Sequence, residues 1–329
     1  MKFFKIVFFI FGLSILGWVI QNINIGETFN LINQIGLGFF LIIGVYFIAF
    51  LFDTVTWQIT VLSAPLTAKW TYRFFQLRLS GEAFNNMLPA ASIGGEPIKA
   101  ILLKNLYGFN YREAIASLIL ARTINTVSLI IFLIIGFSLM LSSNILEGEY
   151  NLISSVGLAI LSVCILLIFL IQRFKITSHI SRLLATNKLF HWLNNTNDHI
   201  KEVEDRLITF YKNHCQRTSY AFILAFSNWV LGAAEIFITM HFLGYPVSLV
   251  NAWIIESIAQ LVRTATFFIP ASIGAQEGAF LIIGSAVTGS PTIGFTMAIV
   301  RRAREIIWIT WGLVVFYTIK GDRKMLGKE

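Results

Sequence analysis

The sequence carries the same short polar break twice, each time inside an apolar stretch. The two copies are residues 88–97 (LPAASIGGEP) and residues 269–277 (IPASIGAQE). Proline removes a backbone hydrogen-bond donor and glycine loosens the backbone, so each copy should interrupt a helix. Within a bilayer, irregular backbone is tolerated only where protein buries it or where it lines a water-filled cavity. Two matching breaks therefore predict a binding site of the kind that transporters build between two halves.

The composition indicates a membrane protein. Of the 329 residues, 56% are hydrophobic and only 13% are charged, whereas about a quarter of a soluble domain is charged. The net charge of +8 comes from Lys and Arg that gather in loops, as the positive-inside rule predicts. No nucleic-acid motif interleaves them, so no nucleic-acid partner is expected. The two cysteines provide neither a disulfide framework nor a metal-ligand spacing.

The apolar stretches predict an all-α polytopic membrane protein in which residues 1–329 form a single membrane domain. About six full spans are expected, at 3–20, 37–62, 111–142, 152–172, 219–243 and 292–319. The breaks lie in two further segments, 72–105 and 251–289, whose helical arms of about a dozen residues are too short to cross a core of about 30 Å. Re-entrant hairpins are therefore the simplest interpretation, with a full crossing as the alternative.

The charge of the loops sets the orientation. Residues 173–218 contain eight Lys or Arg against four acids, which predicts a cytoplasmic loop and places both termini in the cytoplasm. Apolar residues at helical spacing within this loop predict an amphipathic helix on the membrane surface. A loop that simply packs on the spans is the alternative.

An internal repeat relates the two breaks. A shift of 180 residues places Ser92 on Ser272 and Arg122 on Arg302, and a shift of 181 places Glu96 on Glu277. The repeat units, 37–142 and 219–319, begin on opposite sides of the membrane in this topology. They are therefore predicted to be an inverted repeat, which lets a central site alternate its access.

Ionisable residues occur in apolar surroundings, where each would cost at least about 2.5–3.5 kcal/mol if it faced lipid. Besides the residues at the breaks, the predicted intramembrane charge network comprises Asp53, Glu82, Glu235, Arg263, Arg301, Arg304 and Glu305. Such residues are functional candidates, and a buried ion-pair network that fixes helix register is the alternative. Glu82 and Arg263 correspond at a shift of 181 and are expected to pair between the units, unless each is satisfied within its own unit.

A substrate-binding site is predicted around the two breaks. Its candidate residues are Ser92, Gly94, Gly95, Glu96, Arg122, Ser272, Gly274, Gln276, Glu277 and Arg302. The N-termini of the helices that follow the breaks point the positive end of the helix dipole toward the breaks. Together with a nearby arginine, such an N-terminus could hold a phosphate or carboxylate. Glu96 and Glu277 would hold an ammonium group or relay protons. For the arginines of the helix that carries Arg301, Arg302 and Arg304, ion pairs with Glu277 and Glu235 are the alternative to ligand binding.

No catalytic motif accompanies this site. The five histidines form no HExxH motif, and neither a Walker loop nor a dinucleotide-binding fingerprint occurs. We therefore expect neither enzyme activity nor a cofactor or metal.

The two breaks resemble the signatures of a known family. Residues 94–99 (GGEPIK) and 268–278 (FIPASIGAQEG) are similar to segments of the lysylphosphatidylglycerol synthase transmembrane-region family, a flippase-like group that includes the hopanoid-associated HpnL-type proteins. The resemblance implies an inner-membrane protein that handles lipids, and flipping of aminoacylated phosphatidylglycerol is attributed to the best-known members. Those members also carry an aminoacyl-transferase domain. None is expected in this chain, which ends at Glu329, so lysyl-lipid synthesis is not expected either.

The sequence thus favours a lipid translocase that moves a lipid with a polar or charged head group by alternating access. The alternatives are an ion-coupled transporter of a small anionic solute and a membrane enzyme acting on lipid-linked substrates. The expected partners are membrane lipids with an anionic or zwitterionic head group. A homo-oligomer and a separate lipid-modifying enzyme are left open as further partners.

Overall fold

The computed structural model describes residues 25–87, 94–143, 208–267 and 269–326, together with scattered positions between 14 and 17 and between 152 and 167. Nine α-helices and one 3-10 turn have both ends within these residues, and residues 208–213 are helical as well. They are α1 (Ile25–Ile35), α2 (Gly38–Thr60), α3 (Ala68–Met87), α4 (Glu96–Tyr107), α5 (Tyr111–Ser143), α6 (Cys215–Phe242), α7 (Leu249–Ala265), the 3-10 turn (Pro270–Ser272), α8 (Ala275–Thr288) and α9 (Pro291–Leu326).

Three of the helices are long and apolar enough to cross a membrane. They are α2, α5 and α6, with 23, 33 and 28 residues, and they agree with the predicted spans 37–62, 111–142 and 219–243. Helix α9 covers the predicted span 292–319, but charged residues at its centre make it less apolar. The predicted spans 3–20 and 152–172 and most of the 173–218 loop lie outside the described residues. The all-helical architecture is that of a polytopic membrane protein.

Proline and glycine residues set the ends of the helices that flank the breaks. Helix α4 has Pro97 in its first turn, where the missing N–H does no harm, and it ends at Gly108 with a φ of 72°. Helix α8 ends in the same way at Gly289, with a φ of 75°. The 3-10 turn between α7 and α8 confirms that the second break interrupts a helix, whereas residues 88–93 of the first break lie outside the described residues.

The arms differ from their predicted length in one case. Helices α4, α7 and α8 have 12, 17 and 14 residues, but α3 has 20. The expectation of about a dozen residues was wrong for α3, because helical sequence continues to Met87, directly before the prolines and glycines of the break. The ring of Trp70 lies 5.3 Å from that of Tyr107 between centroids, so α4 ends close to where α3 begins.

The two predicted repeat units contain helices in the same order: a long helix, two arms around a break, and a second long helix. The first helices of the two units, α2 and α6, pack side by side and antiparallel. Gly38 lies against the Phe242 ring near one end, and the Thr56 hydroxyl donates to the Ala221 carbonyl at 3.5 Å near the other.

The last helix of each unit packs on the first arm of the other unit. Helix α9 lies on α3, where the rings of Trp311 and Phe75 are 5.5 Å apart between centroids. Helix α5 lies on α7, where the Trp253 indole N–H donates to the Phe132 carbonyl at 3.1 Å. The two units therefore exchange equivalent contacts.

Basic residues gather at one end of the helix bundle. Around the C-terminus of α2 and the N-termini of α5 and α6 lie Lys69, Arg73, Lys104, Arg112, Lys212 and Arg217. At the opposite end, the described stretches 25–45, 135–143, 238–255 and 283–300 contain no Lys or Arg. This asymmetry has the form that the positive-inside rule requires.

Replacing Gly284 by Ala should lower the free energy of unfolding by about 1–3 kcal/mol, because the added methyl group meets the backbone of Gly294 where α8 packs on α9. The measurement is thermal unfolding of the purified protein in detergent. Gly44→Ala in α2 is the matched control: the added methyl group meets open space, and helix propensity should raise the stability by up to about 1 kcal/mol. Equal unfolding temperatures of the two variants would contradict the close packing of α8 on α9.

Candidate functional site

Arg302 joins α9 to the second break. It lies within a run of four charged residues on α9, and its guanidinium makes three contacts around the break. Its Nε donates to the carboxylate of Glu277, its Nη1 donates to Glu305 Oε2 at 2.7 Å, and its Nη2 donates to the Ser272 carbonyl at 3.3 Å. The predicted binding residue Arg302 is therefore engaged by the protein itself, as the alternative stated for it anticipates.

The other arginines of α9 are paired with buried acids from α6 and α7. Arg301 Nη2 donates to Glu256 Oε2 at 2.5 Å, and its Nε lies 3.7 Å from Glu235 Oε1. Arg304 donates to Glu235 Oε2 and stacks its guanidinium on Tyr46, 3.6 Å from the ring centroid. These contacts tie α9 to α2, α6 and α7.

The charges of this second-unit cluster cancel. Its cations are Arg263, Arg301, Arg302 and Arg304, and its acids are Glu235, Glu256, Glu277 and Glu305. Four positive charges minus four negative charges leave zero. A neutral, mutually hydrogen-bonded set is what a low-dielectric interior tolerates.

The second break itself is buried and locally strained. Ala271 and Ser272 both have a φ of 50°, a left-handed conformation that residues with a Cβ rarely adopt. The Gly274 N–H donates to Glu277 Oε2 at 2.8 Å, which caps α8. Gln276 donates to Glu305 Oε1 at 3.4 Å, while its own buried carbonyl oxygen has no partner within the described structure. Such strain is kept where the surrounding contacts fix it, often at functional sites.

The first-unit cluster is smaller and its pairs are separate. Asp53 accepts hydrogen bonds from Arg78 and, at 2.8 Å, from Asn125 Nδ2. Glu96, in the first turn of α4, accepts from Lys99 Nζ at 2.7 Å. Just before it, the Gly95 N–H donates to Asn85 Oδ1 at 2.6 Å, while Gly94 lies in the turn that leads into α4. The predicted Ser92 lies outside the described residues.

The expected pair between Glu82 and Arg263 does not form in the described structure. Glu82 accepts from Asn86 Nδ2 at 3.2 Å, and Arg263 Nη1 lies 3.5 Å from Glu305 Oε1. The prediction of a direct pair was wrong because Asn86 and Glu305 are closer to the two groups. The charges of Arg263 and Arg78 nevertheless act on the Glu82 carboxylate, so Glu82 is not balanced by its own unit alone.

Arg122 differs from every charge above. It lies in α5, 11 residues after Tyr111 or about 16 Å along the helix, and it is exposed. Among the described residues it makes no ion pair or hydrogen bond. One turn away on the same face, Leu118 is buried and Thr126 half-buried. Arg122 thus lies on an accessible surface of the bundle, beside side chains that are covered.

Three exposed aliphatic residues in the second half of α5 lie on a different face from Arg122. Ile131, Ile134 and Leu141 are exposed, and at about 100° per residue they lie about 100–180° around the helix from Arg122. These three side chains form the lipid-facing stripe of a membrane-spanning helix. The guanidinium of Arg122 does not belong to that stripe.

Sequence reasoning missed several partners of the site. Glu256 satisfies the criterion applied to Glu235, an acid within an apolar stretch, and could have been found in that way. Arg78 follows Lys69 and Arg73, so it reads as one more basic residue near a membrane surface. Asn125 carries no charge and has no sequence signal, and only the packing of α5 on α2 shows its role.

The fold and the buried charges at its helix breaks define a multi-pass integral membrane protein. The chain belongs to the family described as "Lysylphosphatidylglycerol synthase TM region", which it matches over residues 3–312. It is also 24% identical over 272 residues to the "UPF0104 membrane protein" of Methanothermobacter thermautotrophicus, covering 78% of this chain and 77% of that protein. No solved structure matches. The family that the sequence resembles is therefore confirmed.

Replacing Glu256 by Gln should lower the free energy of unfolding by about 3–5 kcal/mol, because Arg301 loses its nearest carboxylate in a buried site. Adding Arg301→Gln should recover part of this loss, since the double variant buries no uncompensated cation. Denaturant unfolding in detergent measures both. Glu113→Gln is the control, because this carboxylate accepts a hydrogen bond from Ser63 at an exposed site and should change stability by less than about 1 kcal/mol. A double variant no more stable than the single one would contradict a specific pair.

Proposed function

We propose that this protein is a lipid translocase that moves a lipid with a polar or charged head group between leaflets, and that it is not an enzyme. The observation that carries the proposal is the exposed Arg122 in the membrane-spanning helix α5, without an ion pair among the described residues. A cation at that depth is costly unless water or an anionic ligand reaches it. An anionic head group, with its acyl chains left in the bilayer, would satisfy Arg122 and remain in contact with lipid.

Alternating access is supported by the arrangement of the two units. Helices α2 and α6 are antiparallel, and each last helix packs on the first arm of the other unit. An inverted repeat produces contacts of this kind, and it allows the halves to rock about a central site. The substrate path would run between the breaks, past Gly94, Gly95 and Glu96 on one side and past Ser272, Gly274 and Gln276 on the other.

Membership of the family supports a lipid over a small solute, because the family is described by the name of a phospholipid-modifying synthase. The partners that we propose are therefore membrane lipids with an anionic or zwitterionic head group. We also propose a second copy of this chain, in a homo-oligomer, and a separate lipid-modifying enzyme as further partners.

We further propose that the basic end of the bundle faces the cytoplasm of an inner (plasma) membrane and that both termini lie there. The charge asymmetry between the two ends supports this orientation.

Arg122→Gln should reduce lipid movement in proteoliposomes to the protein-free rate, because the head group loses its cation. The measurement uses purified protein and a panel of quenchable fluorescent lipids with different head groups. Arg112→Gln is the matched control, since Arg112 is exposed near the start of the same helix, about 15 Å from Arg122, and movement should persist. If folded wild-type protein moves no lipid of the panel, lipid translocation is wrong, and uptake of small anions by the same vesicles becomes the next test.

Orientation is tested with single cysteines in a protein whose Cys164 and Cys215 are replaced by Ser. Tyr245→Cys, at the end without basic residues, should react with a membrane-impermeant maleimide applied to intact cells. Leu66→Cys, exposed at the basic end, should react only after the cells are permeabilised. The reverse pattern would place the basic end outside.

A further inference from the structure

The two units place the same two charges at equivalent positions and use them differently. Arg122 corresponds to Arg302 at a shift of 180, and Glu96 corresponds to Glu277 at a shift of 181. Both glutamates lie in the first turn of the helix that follows a break. Equivalent residues in equivalent elements would be expected to make equivalent contacts.

In the second unit the arginine is engaged by the protein through each of its three nitrogens. The guanidinium of Arg302 donates to Glu277, to Glu305 and to the Ser272 carbonyl, which engages its Nε and both terminal nitrogens. Glu277 is held in place from the other side by the Gly274 N–H at 2.8 Å. An anionic ligand at Arg302 would have to compete with two carboxylates that already neutralise this guanidinium.

In the first unit the glutamate has a different partner. Glu96 Oε1 accepts from Lys99 Nζ at 2.7 Å, and no carboxylate among the described residues contacts Arg122. Asp53, which lies on the neighbouring helix α2, is likewise engaged by Arg78 and Asn125. Arg122 therefore presents an exposed guanidinium with its donors free of ion pairs within the described structure.

We infer that an anionic phosphate group of the ligand binds Arg122 in the place that the Glu277 carboxylate takes on Arg302, and that Arg302 is a structural residue that binds no ligand. A guanidinium suits this ligand because its planar donors match two oxygens of a phosphate at once. The inference rests on the proposed function for its lipid, but the same chemistry is offered by a phosphodiester head group and by free inorganic phosphate.

The test measures binding by the full chain purified in detergent, separately from transport. The probes are phosphatidylglycerol, diacylglycerol as the phosphate-free comparison, and inorganic phosphate, each followed by native mass spectrometry and by the shift in unfolding temperature. The variants are Arg122→Gln, Arg122→Lys and the double variant Glu277→Gln with Arg302→Gln. The double variant removes both members of the equivalent pair, so it buries no lone charge at that pair.

Phosphatidylglycerol should bind more tightly than diacylglycerol, and Arg122→Gln should weaken its binding by about 10- to 100-fold, the loss expected for hydrogen bonds to a charged group. Arg122→Lys should give an intermediate affinity, because it keeps the charge and loses the planar fork. The double variant should bind within about threefold of wild type. Binding of inorganic phosphate with the same dependence on Arg122 would assign the site to free phosphate, and its absence would assign the site to the lipid head group.

Folding and function are separated by two further comparisons. Arg122→Gln breaks no ion pair among the described residues, so its unfolding temperature without ligand should equal that of wild type. If Arg122→Gln is less stable than wild type, the affinity of Arg122→Lys, which keeps the charge, tests the inference instead. Unchanged affinity in Arg122→Gln, or a larger loss in the double variant, would overturn the inference whether or not lipid is transported. If Arg122→Gln loses binding but the wild-type protein moves no lipid, the binding site stands and the proposed translocation is wrong.

Discussion

The contact between Arg302 and the second break determines how the rest of the second unit is built. A guanidinium in apolar surroundings must be neutralised, and Glu277 provides the charge from the first turn of α8. That carboxylate also caps α8. The Glu277 side chain therefore both neutralises Arg302 on α9 and fixes the start of the helix that follows the break. The strained backbone at Ala271 and Ser272 is held between these contacts, because the Ser272 carbonyl accepts from the same arginine.

The same requirement extends outward from Arg302. Arg301 and Arg304 lie on other faces of α9 and need acids of their own, which α6 and α7 supply as Glu235 and Glu256. Four arginines and four glutamates therefore join helices that apolar packing alone would hold in no particular register. Their mutual pairing explains how a helix as charged as α9 can lie in the centre of a membrane protein.

In the described part of the first unit the direct ion pairs are separate and do not join in one cluster. Its equivalent glutamate pairs with Lys99, its equivalent arginine is exposed, and its aspartate is engaged by Arg78. Two units with similar sequence patterns thus differ in which charges the protein itself satisfies.

The sequence by itself determined the all-helical membrane class, the long helices α2, α5 and α6, the family and the interruption at the second break, because apolar length, proline and glycine act locally. Only the tertiary structure decided the pairing: it separated Glu82 from Arg263, recruited Glu256 and Asn125, and left Arg122 exposed while Arg302 is enclosed. Ion pairs depend on distances of a few ångströms between side chains on different helices. Those distances follow from how the helices pack, which the spacing of charges along one chain does not encode.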